Sequence, residues 1–188
     1  MEQPDLSDYR LALRASVPLD RRWRDPDEGA FERWEVTLQR HGLDGEAHPV
    51  ASAVVFRVRW DSGEDLIDAA DAQGDSEFVD IVCAEALNEF GEVHDFVQRA
   101  LPDAVATEVF VVGRVEAVAA GAALPFGLLG RGILEVLGRV GGLFFFESMP
   151  TYPDIWSRSV GAVRAGDFEV ASSDFVLPEF PLSPLDGR

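Results

Sequence analysis

The chain has 188 residues, 47% of them hydrophobic, which is enough for one domain with a full core and short for two. Its 34 acidic residues face 16 basic ones, all arginine, and the formal net charge is −18. This excess of carboxylates argues against sequence-independent binding to nucleic acid or to an anionic membrane, because both depend on cationic side chains. It favours a cationic amine or a basic protein as partner.

Cysteine and histidine are scarce. A single cysteine, Cys83, rules out an internal disulfide, and the chain opens without a basic and then apolar leader, so a cytoplasmic location is predicted. No apolar run approaches the roughly 18 residues of a membrane-spanning helix. His41, His48 and His94 show no metal-ligand spacing with the cysteine or with each other, so no metal site is predicted.

The first predicted strand follows a polar start. Residues 1–8, like the proline-rich residues 180–188, are predicted to be extended or flexible. Apolar side chains then alternate with arginine and alanine, in the pattern of a half-buried strand, at Tyr9, Leu11 and Leu13.

Residues 18–29 are dense in charge and turn formers and hold the only concentrated positive patch, Arg21, Arg22 and Arg24. A solvated loop is the favoured interpretation, and an anion-binding role is the alternative. Residues 31–42 and 49–60 then alternate in hydrophobicity. They predict two neighbouring antiparallel strands joined by a turn-rich connection.

Residues 61–95 are the most acidic part of the chain, with twelve acidic residues and no arginine between Arg59 and Arg99. Helical spacing of the apolar positions predicts one or two amphipathic helices with an acidic outer face, and a further helix over residues 92–101. The acidic face is either simply solvated or a surface for a cationic substrate or a basic partner. The apolar positions are Phe78, Val79, Val82, Ala86, Leu87 and Phe90.

The rest of the chain is organised around residues 107–150, where a strand over 108–118 and a strand over 143–147 flank a helix that ends near residue 140. One helix between two apolar strands predicts a parallel, right-handed crossover. Arg131, Glu135 and Arg139 share a second face of this helix. Its apolar positions at helical spacing are Leu129, Ile133, Val136, Leu137 and Val140.

Four glycines, Gly127, Gly130, Gly132 and Gly138, interrupt this helix. Each costs about 1 kcal/mol relative to alanine unless something compensates. Close packing of the helix on the sheet is the favoured explanation. The alternative is a ligand at the helix N-terminus, where free N–H groups and the positive end of the dipole attract anions.

The last elements are short. Residues 151–163 predict a short helical or irregular piece, and residues 167–178 predict one or two late strands. Together the elements predict a single domain over residues 1–188 of the α/β (α+β) class. Its mixed, mostly antiparallel sheet contains a central parallel strand-helix-strand unit.

The order of elements and the stretch FVVGRVEAVAAGAALPFGLLGRGILEVLGRVGGLFFFESMP, residues 110–150, resemble the GNAT N-acetyltransferase superfamily and, more specifically, GNAT-like bacterial proteins of unassigned activity. The stretch covers about a quarter of the chain. The resemblance implies a GNAT-like domain that transfers an acetyl group from acetyl-CoA to an amine.

The resemblance also implies cofactor-binding residues. In the family, strand 4 pairs with the pantetheine arm, and a Gln/Arg-x-x-Gly-x-Gly/Ala loop presents N–H groups to the pyrophosphate. This sequence departs from that loop in both possible alignments, at 124–127, where Pro125 lacks an N–H, and at 127–132. The implied cofactor-binding residues are Val115, Ala117, Gly127, Leu128, Gly130, Arg131 and Gly132.

Amine acetylation needs a base for the ammonium and an acid for the departing thiolate. The resemblance implies Glu116 or Glu147 as the base and Tyr152 as the acid. Each also has a purely structural interpretation: Glu116 in solvent, Glu147 capping a loop, Tyr152 in packing. A catalytically inactive GNAT-fold binding or regulatory protein, acting through its acidic surface on a basic partner, is the alternative function. An acidic DNA mimic on an unrelated fold has only the charge in its favour.

Overall fold

The computed structural model describes residues 6–16, 29–42, 44–59, 65–73, 77–88, 91–104, 107–117, 123–138 and 141–174. In these ranges, one sheet contains the strands β1 (Tyr9–Ser16), β2 (Phe31–His41), β3 (Ala47–Val58), β4 (Glu108–Ala117), β5 (Gly142–Phe146), β6 (Val163–Ala165) and β7 (Phe168–Ser172). The helices are α1 (Leu66–Gln73), α2 (Glu77–Glu85), α3 (Asp95–Ala100), α4 (Ala123–Leu137) and α5 (Ile155–Val160), and a short 3-10 turn, Leu6–Asp8, precedes β1.

The strand order is β1-β2-β3-β4-β5-β7-β6, and among the strands described only β4 and β5 run parallel, with α4 between them in sequence. The predicted α+β class, with a mostly antiparallel sheet and a central parallel unit, is therefore confirmed. The predicted antiparallel neighbours over 31–42 and 49–60 are also confirmed as β2 and β3. The arginine patch at residues 21–24, the 1–5 and 180–188 ends and Phe90 lie outside the described residues.

One face of the sheet is covered by α4 and α5. Here aromatic rings stack along the central strands: Phe110 on Phe144 with centroids 4.6 Å apart, and Phe146 on Trp156 at 4.7 Å. Half-buried Leu11 and Leu13 of β1 join this core, as their alternation predicts. Flat aromatic surfaces in contact contribute both area burial and about 0.5–1.5 kcal/mol per pair beyond it.

The buried face of α4 differs from its prediction at one position. Leu129 and Ile133 are fully buried, but Val136 is 42% exposed. At Gly130 the helix packs against Trp156 and Val160 of α5, and six further residues turn the helix by about 240°. Val136 therefore lies at the rim of the contact. Val140 and Arg139, predicted on the same helix, fall outside the described residues, and α4 ends at Leu137.

In the part of the chain that the structure describes, α1, α2 and α3 cover part of the other face. Their apolar side chains pack on Phe56, Val111 and Phe145. The helix predicted over 92–101 begins later, at Asp95, because a tight turn precedes it. Asn88 Oδ1 accepts the Glu92 N–H at 3.0 Å, and Gly91 takes a φ of 77°. The chain then forms a bridge between Leu87 and Val93 before α3 begins.

The late hairpin was predicted only in part. β7 lies within residues 167–178 as expected, and β6 begins at Val163, the last residue of the predicted helical or irregular piece, and continues to Ala165. Gly166, with a φ of 60°, turns the chain between the two strands. Among the helices described, none has the length and hydropathy of a membrane-crossing segment.

Candidate active site

The central feature of the sheet is the point where the two parallel strands separate. β4 and β5 pair up to Val112 and Phe146, and one further bond runs from the Glu147 N–H to the Val112 carbonyl at 3.0 Å. Beyond it β4 continues to Ala117, paired with β3. Among the described residues no strand lies along the other edge of β4 after Val112, so a cleft opens there.

A β-bulge in β4 shapes this cleft. Ser52 pairs with Glu116 and Val54 with Gly113, so Arg114 and Val115 together stand opposite Ala53 of β3. Arg114 has a φ of 48°, a left-handed conformation that costs a residue other than glycine about 1–3 kcal/mol. Bulges of this kind redirect backbone and side chains beside binding sites. Here the bulge points the Arg114 N–H towards the chain that leaves β5.

The cleft encloses about 300 Å³ and is lined by residues 114–116 of β4 and residues 147–151 after β5. Three residues predicted for the site, Val115, Glu116 and Glu147, are therefore brought together on it. Tyr152 follows the lining directly, but its ring packs on Phe126, with centroids 5.7 Å apart. The structure thus places Tyr152 in a packing contact at the rim of the cleft.

Glu147 is held through all three of its polar groups. Its N–H donates to the Val112 carbonyl of β4, and its carbonyl accepts the indole N–H of Trp156 at 2.9 Å. Its Oε2 accepts the Arg114 N–H at 2.8 Å. The carboxylate therefore occupies the Arg114 N–H that the bulge aims into the opening. The loop-capping interpretation of Glu147 matches this geometry.

Glu116 is exposed and lies on the opposite side of the sheet from α4, because its neighbours Val115 and Ala117 pack against the α4 core. Ala117 pairs with Ala51 at the end of β4. The two predicted bases thus differ: the Glu147 carboxylate is held by a backbone bond, whereas that of Glu116 is open to solvent.

The helix glycines are accounted for by close packing at three positions. A Cβ on Gly130 would lie 2.8 Å from Trp156 Cζ3, one on Gly132 would lie 3.2 Å from Leu11 Cδ2, and one on Gly138 would lie 2.4 Å from Ser173 Cβ. Contacts under 3.0 Å are essentially never made by a real Cβ, so Gly130 and Gly138 let α5 and the chain after β7 approach α4, while Gly132 is a tight contact with Leu11 of β1. The predicted packing of the helix on the sheet thus applies at Gly132, whereas Gly130 packs against another helix.

The remaining predicted cofactor residues lie along α4. Gly127 is buried, Leu128 is half-buried against the core, and Arg131 Nε lies 3.4 Å from Glu135 Oε1. Both alignments of the predicted pyrophosphate loop, 124–127 and 127–132, fall inside α4. Residues 118–122, which connect β4 to this helix, lie outside the described residues.

Two other groups with reactive chemistry lie away from the cleft. Cys83 is buried in the α1–α3 core, and burial, with a smaller contribution from Asp80, raises its thiol pKa to about 12. A thiol of that pKa is not a nucleophile at neutral pH.

The other group is a set of possible metal ligands that the sequence analysis missed. Asp44, Glu46 and His48 bring their ligand atoms within 4.8 Å of one another at the β2–β3 turn. Their spacing at every second residue was the available indication, since alternate residues of a strand share a face. All three are exposed, so water competes at every ligand position.

The chain matches no protein-family model, no curated protein and no solved structure.

Proposed function

We propose that the protein is an acyl-CoA-dependent N-acyltransferase whose reaction takes place in the cleft between β4 and β5. The observation that carries the proposal is the Arg114 N–H, which the bulge directs into the opening between two diverging parallel strands. The arm of acyl-CoA is extended and carries amide groups. Such a ligand can use the edge of β4 as a peptide strand uses the edge of a sheet.

In this proposal the chemistry is direct transfer. Glu116 takes a proton from the substrate ammonium, the amine nitrogen attacks the thioester carbonyl carbon, and the carbon–sulfur bond breaks as the amide forms. The Arg114 N–H stabilises the negative charge that develops on the carbonyl oxygen, a contribution of about 3–4 kcal/mol for one well-placed donor. The departing thiolate takes the phenol proton of Tyr152, the candidate acid at the rim, and the attacking nitrogen loses its second proton to the tyrosinate, which restores the phenol.

Glu147 has a separate part in the proposal. Its carboxylate already binds the N–H that the thioester carbonyl needs, so it acts as an internal occupant of the donor position. Acyl-CoA binding then requires the Glu147 side chain to turn away. The backbone bonds of Glu147 hold the end of β5 while the carboxylate moves.

Calorimetric titration with acetyl-CoA and with CoA tests the proposal. Saturable binding is expected below millimolar ligand. Ser148→Trp fills the cleft from an exposed lining position and should abolish binding, whereas Val163→Trp, at an exposed position of β6, should leave it unchanged. Absence of binding to the native chain at millimolar ligand would end the enzyme proposal.

A second candidate function is a binding or regulatory role for the acidic face, defined here as the exposed side of α1 and α2. Burial, and then the neighbouring carboxylates of Asp71 and Glu77, raise the pKa of Asp80, so negative charges crowd together there. Ile67 and Ile81, 49% and 39% exposed, lie on the same two helices. Carboxylates around apolar side chains suit a basic, amphipathic partner.

A basic amphipathic helical peptide is the probe for this candidate. Asp68→Lys with Asp71→Lys should weaken its binding at least tenfold, because two attractive charges become repulsive. Asp103→Lys with Asp167→Lys changes the net charge equally at exposed positions elsewhere and should have little effect. Equal losses of affinity in the two double variants would show that the peptide responds to the net charge of the protein and not to the acidic face.

Salt separates the two candidates. Acyl-CoA is an anion and the protein carries a formal net charge of −18, so screening should strengthen acyl-CoA binding. A basic partner should bind more weakly as salt rises.

A further inference from the structure

A row of polar side chains crosses the sheet and ends at the cleft. Thr37 pairs with Ser52, and Ser52 pairs with Glu116, so the three residues lie side by side on β2, β3 and β4. We call Thr37, Ser52 and Glu116 the hydroxyl row, after the two hydroxyl side chains. Their strand neighbours Val36, Leu38, Ala51 and Ala53 are buried in the core beneath α4. The hydroxyl row therefore lies on the opposite face of the sheet.

On that face, the α1–α3 core includes Phe31, Phe56 and Val58 but none of the hydroxyl row. Thr37 and Ser52 are half-buried and Glu116 is exposed. The hydroxyl row thus lies beside the helical layer, on the part of the face where polar side chains meet solvent.

An exposed arginine lies on the same face at the edge of the sheet. Leu11 and Leu13 of β1 pack towards α4, so Arg14 points the other way. Arg14 pairs with Glu35, whose carboxylate already lies 2.9 Å from Arg33 Nη1. Arg14 therefore offers its charge to a negative ligand group, because the neighbouring carboxylate of Glu35 already pairs with Arg33.

The nearby Arg10 is less suited to a ligand. It donates to the carbonyls of Ser7 and Tyr9 at 2.8 Å and 3.0 Å. Arg14 is therefore the candidate anion contact of β1, and Glu116, at the other end of the hydroxyl row, is the candidate cation contact.

The separation of the backbone positions of Arg14 and Glu116 indicates the length of a ligand. Three strand spacings separate β1 from β4, about 14 Å, and the two-residue offset along the strands adds about 7 Å at right angles. The backbone positions of Arg14 and Glu116 are thus about 16 Å apart. An extended peptide covers this distance in about four or five residues.

We propose that this face binds the amine substrate as a short extended peptide, with its ammonium group at Glu116 and its terminal carboxylate at Arg14. The hydroxyls of Thr37 and Ser52 donate to and accept from the amides between them. Charge excludes the other elongated ligands: a polyamine places a second cation against Arg14, and an oligonucleotide places phosphates against Glu116. The inference rests on the proposed function, because it delivers the ammonium to the cleft where acyl transfer is proposed.

The test is direct binding of a tetrapeptide of four alanines, with free termini, to the full chain without acyl-CoA. Glu116→Gln and Arg14→Gln should each weaken binding about tenfold, the usual loss for one charge-assisted contact. Arg40→Gln is the matched control, since Arg40 is exposed on β2 and its alternation places it on the α4 side. Thermal melts confirm that each variant is folded.

Modified probes identify which end of the peptide each side chain meets. With an N-acetylated peptide, Glu116→Gln should no longer change the affinity. With a peptide that ends in alanine amide, Arg14→Gln should have no effect. Equal effects of Arg14→Gln and Arg40→Gln on affinity would overturn the proposal. So would a Glu116→Gln effect that depends on the C-terminus, or an Arg14→Gln effect that depends on the N-terminus. The absence of tetrapeptide binding at millimolar concentration would also overturn it.

The result also separates this inference from the proposed function. If acyl-CoA binds and the peptide does not, the peptide proposal fails and the acyltransferase proposal stands. If the peptide binds with the expected pattern and acyl-CoA does not, the peptide site stands and the reaction proposal fails.

Discussion

The two faces of the sheet around β4 are built in opposite ways. On the α4 side, glycines and flat rings allow the closest approach, with Gly130 against Trp156 and Trp156 stacked on Phe146. On the other side, helices cover only part of the face and the hydroxyl row lies beside them. Because strand residues alternate, β4 belongs to both faces. The comparison indicates that Gly130 is explained by close packing, whereas the polar candidate site residues lie on the opposite face and at the cleft.

The largest expected effect is on the packed side. Trp156→Ala should lower the free energy of unfolding by about 3–5 kcal/mol, because it leaves a cavity between α4, α5 and Phe146. Urea unfolding followed by circular dichroism measures the loss. Val163→Ala, at an exposed position, should change stability by less than about 0.5 kcal/mol. A similar small loss for Trp156→Ala would show that the face is not tightly packed.

A smaller loss of stability should follow from filling the contact between Gly130 and α5. Gly130→Val places branched carbons against Trp156 and Val160, and overpacking of this kind costs about 1–3 kcal/mol. Glu135→Val adds the same side chain at an exposed position of α4 and should cost less than about 1 kcal/mol, through lower helix propensity and loss of the Arg131–Glu135 pair. If Gly130→Val stabilises the chain, the glycine is not there for packing.

The sequence predicted the sheet well because alternation and helical spacing report burial directly. β1, β2 and the parallel pair of β4 and β5 follow from Leu11, Val36 and the apolar runs around α4. The site was harder to predict. The bulge at Arg114 appears only when the β3–β4 register is known, and the hydroxyl row joins residues far apart in sequence. Gly130 could not be assigned to packing before Trp156 was placed against it.

On the open side, one substitution sharpens the comparison through ligand affinity. Glu147→Ala removes the Glu147 acceptor of the Arg114 N–H and a negative charge from the cleft, so acetyl-CoA should bind about tenfold more tightly. Calorimetry measures the affinity, and Glu135→Ala is a control for loss of one exposed carboxylate. Weaker binding to Glu147→Ala would mean that the carboxylate supports the site rather than occupying it.

The smallest effect concerns the acidic face. Burial first, then Asp71 and Glu77, raise the pKa of Asp80 above its ordinary value, so the folded chain binds this proton more tightly than the unfolded chain. The free energy of unfolding should therefore fall as the pH rises from the ordinary pKa of Asp80 through the raised one. Asp80→Asn should flatten this part of a pH series of melting temperatures. An unchanged slope would contradict the crowding of charge there.

The position of β1 at the edge of the sheet has a consequence for self-association. An eight-residue edge strand without proline is a template on which a second copy could add its own β1. Antiparallel addition centred on Ala12 would set Arg10 of each copy opposite Arg14 of the other, and like charges at such positions oppose pairing. Because the chain contains no lysine, Arg10 and Arg14 are the cationic side chains of β1 that oppose the addition of a strand from another molecule.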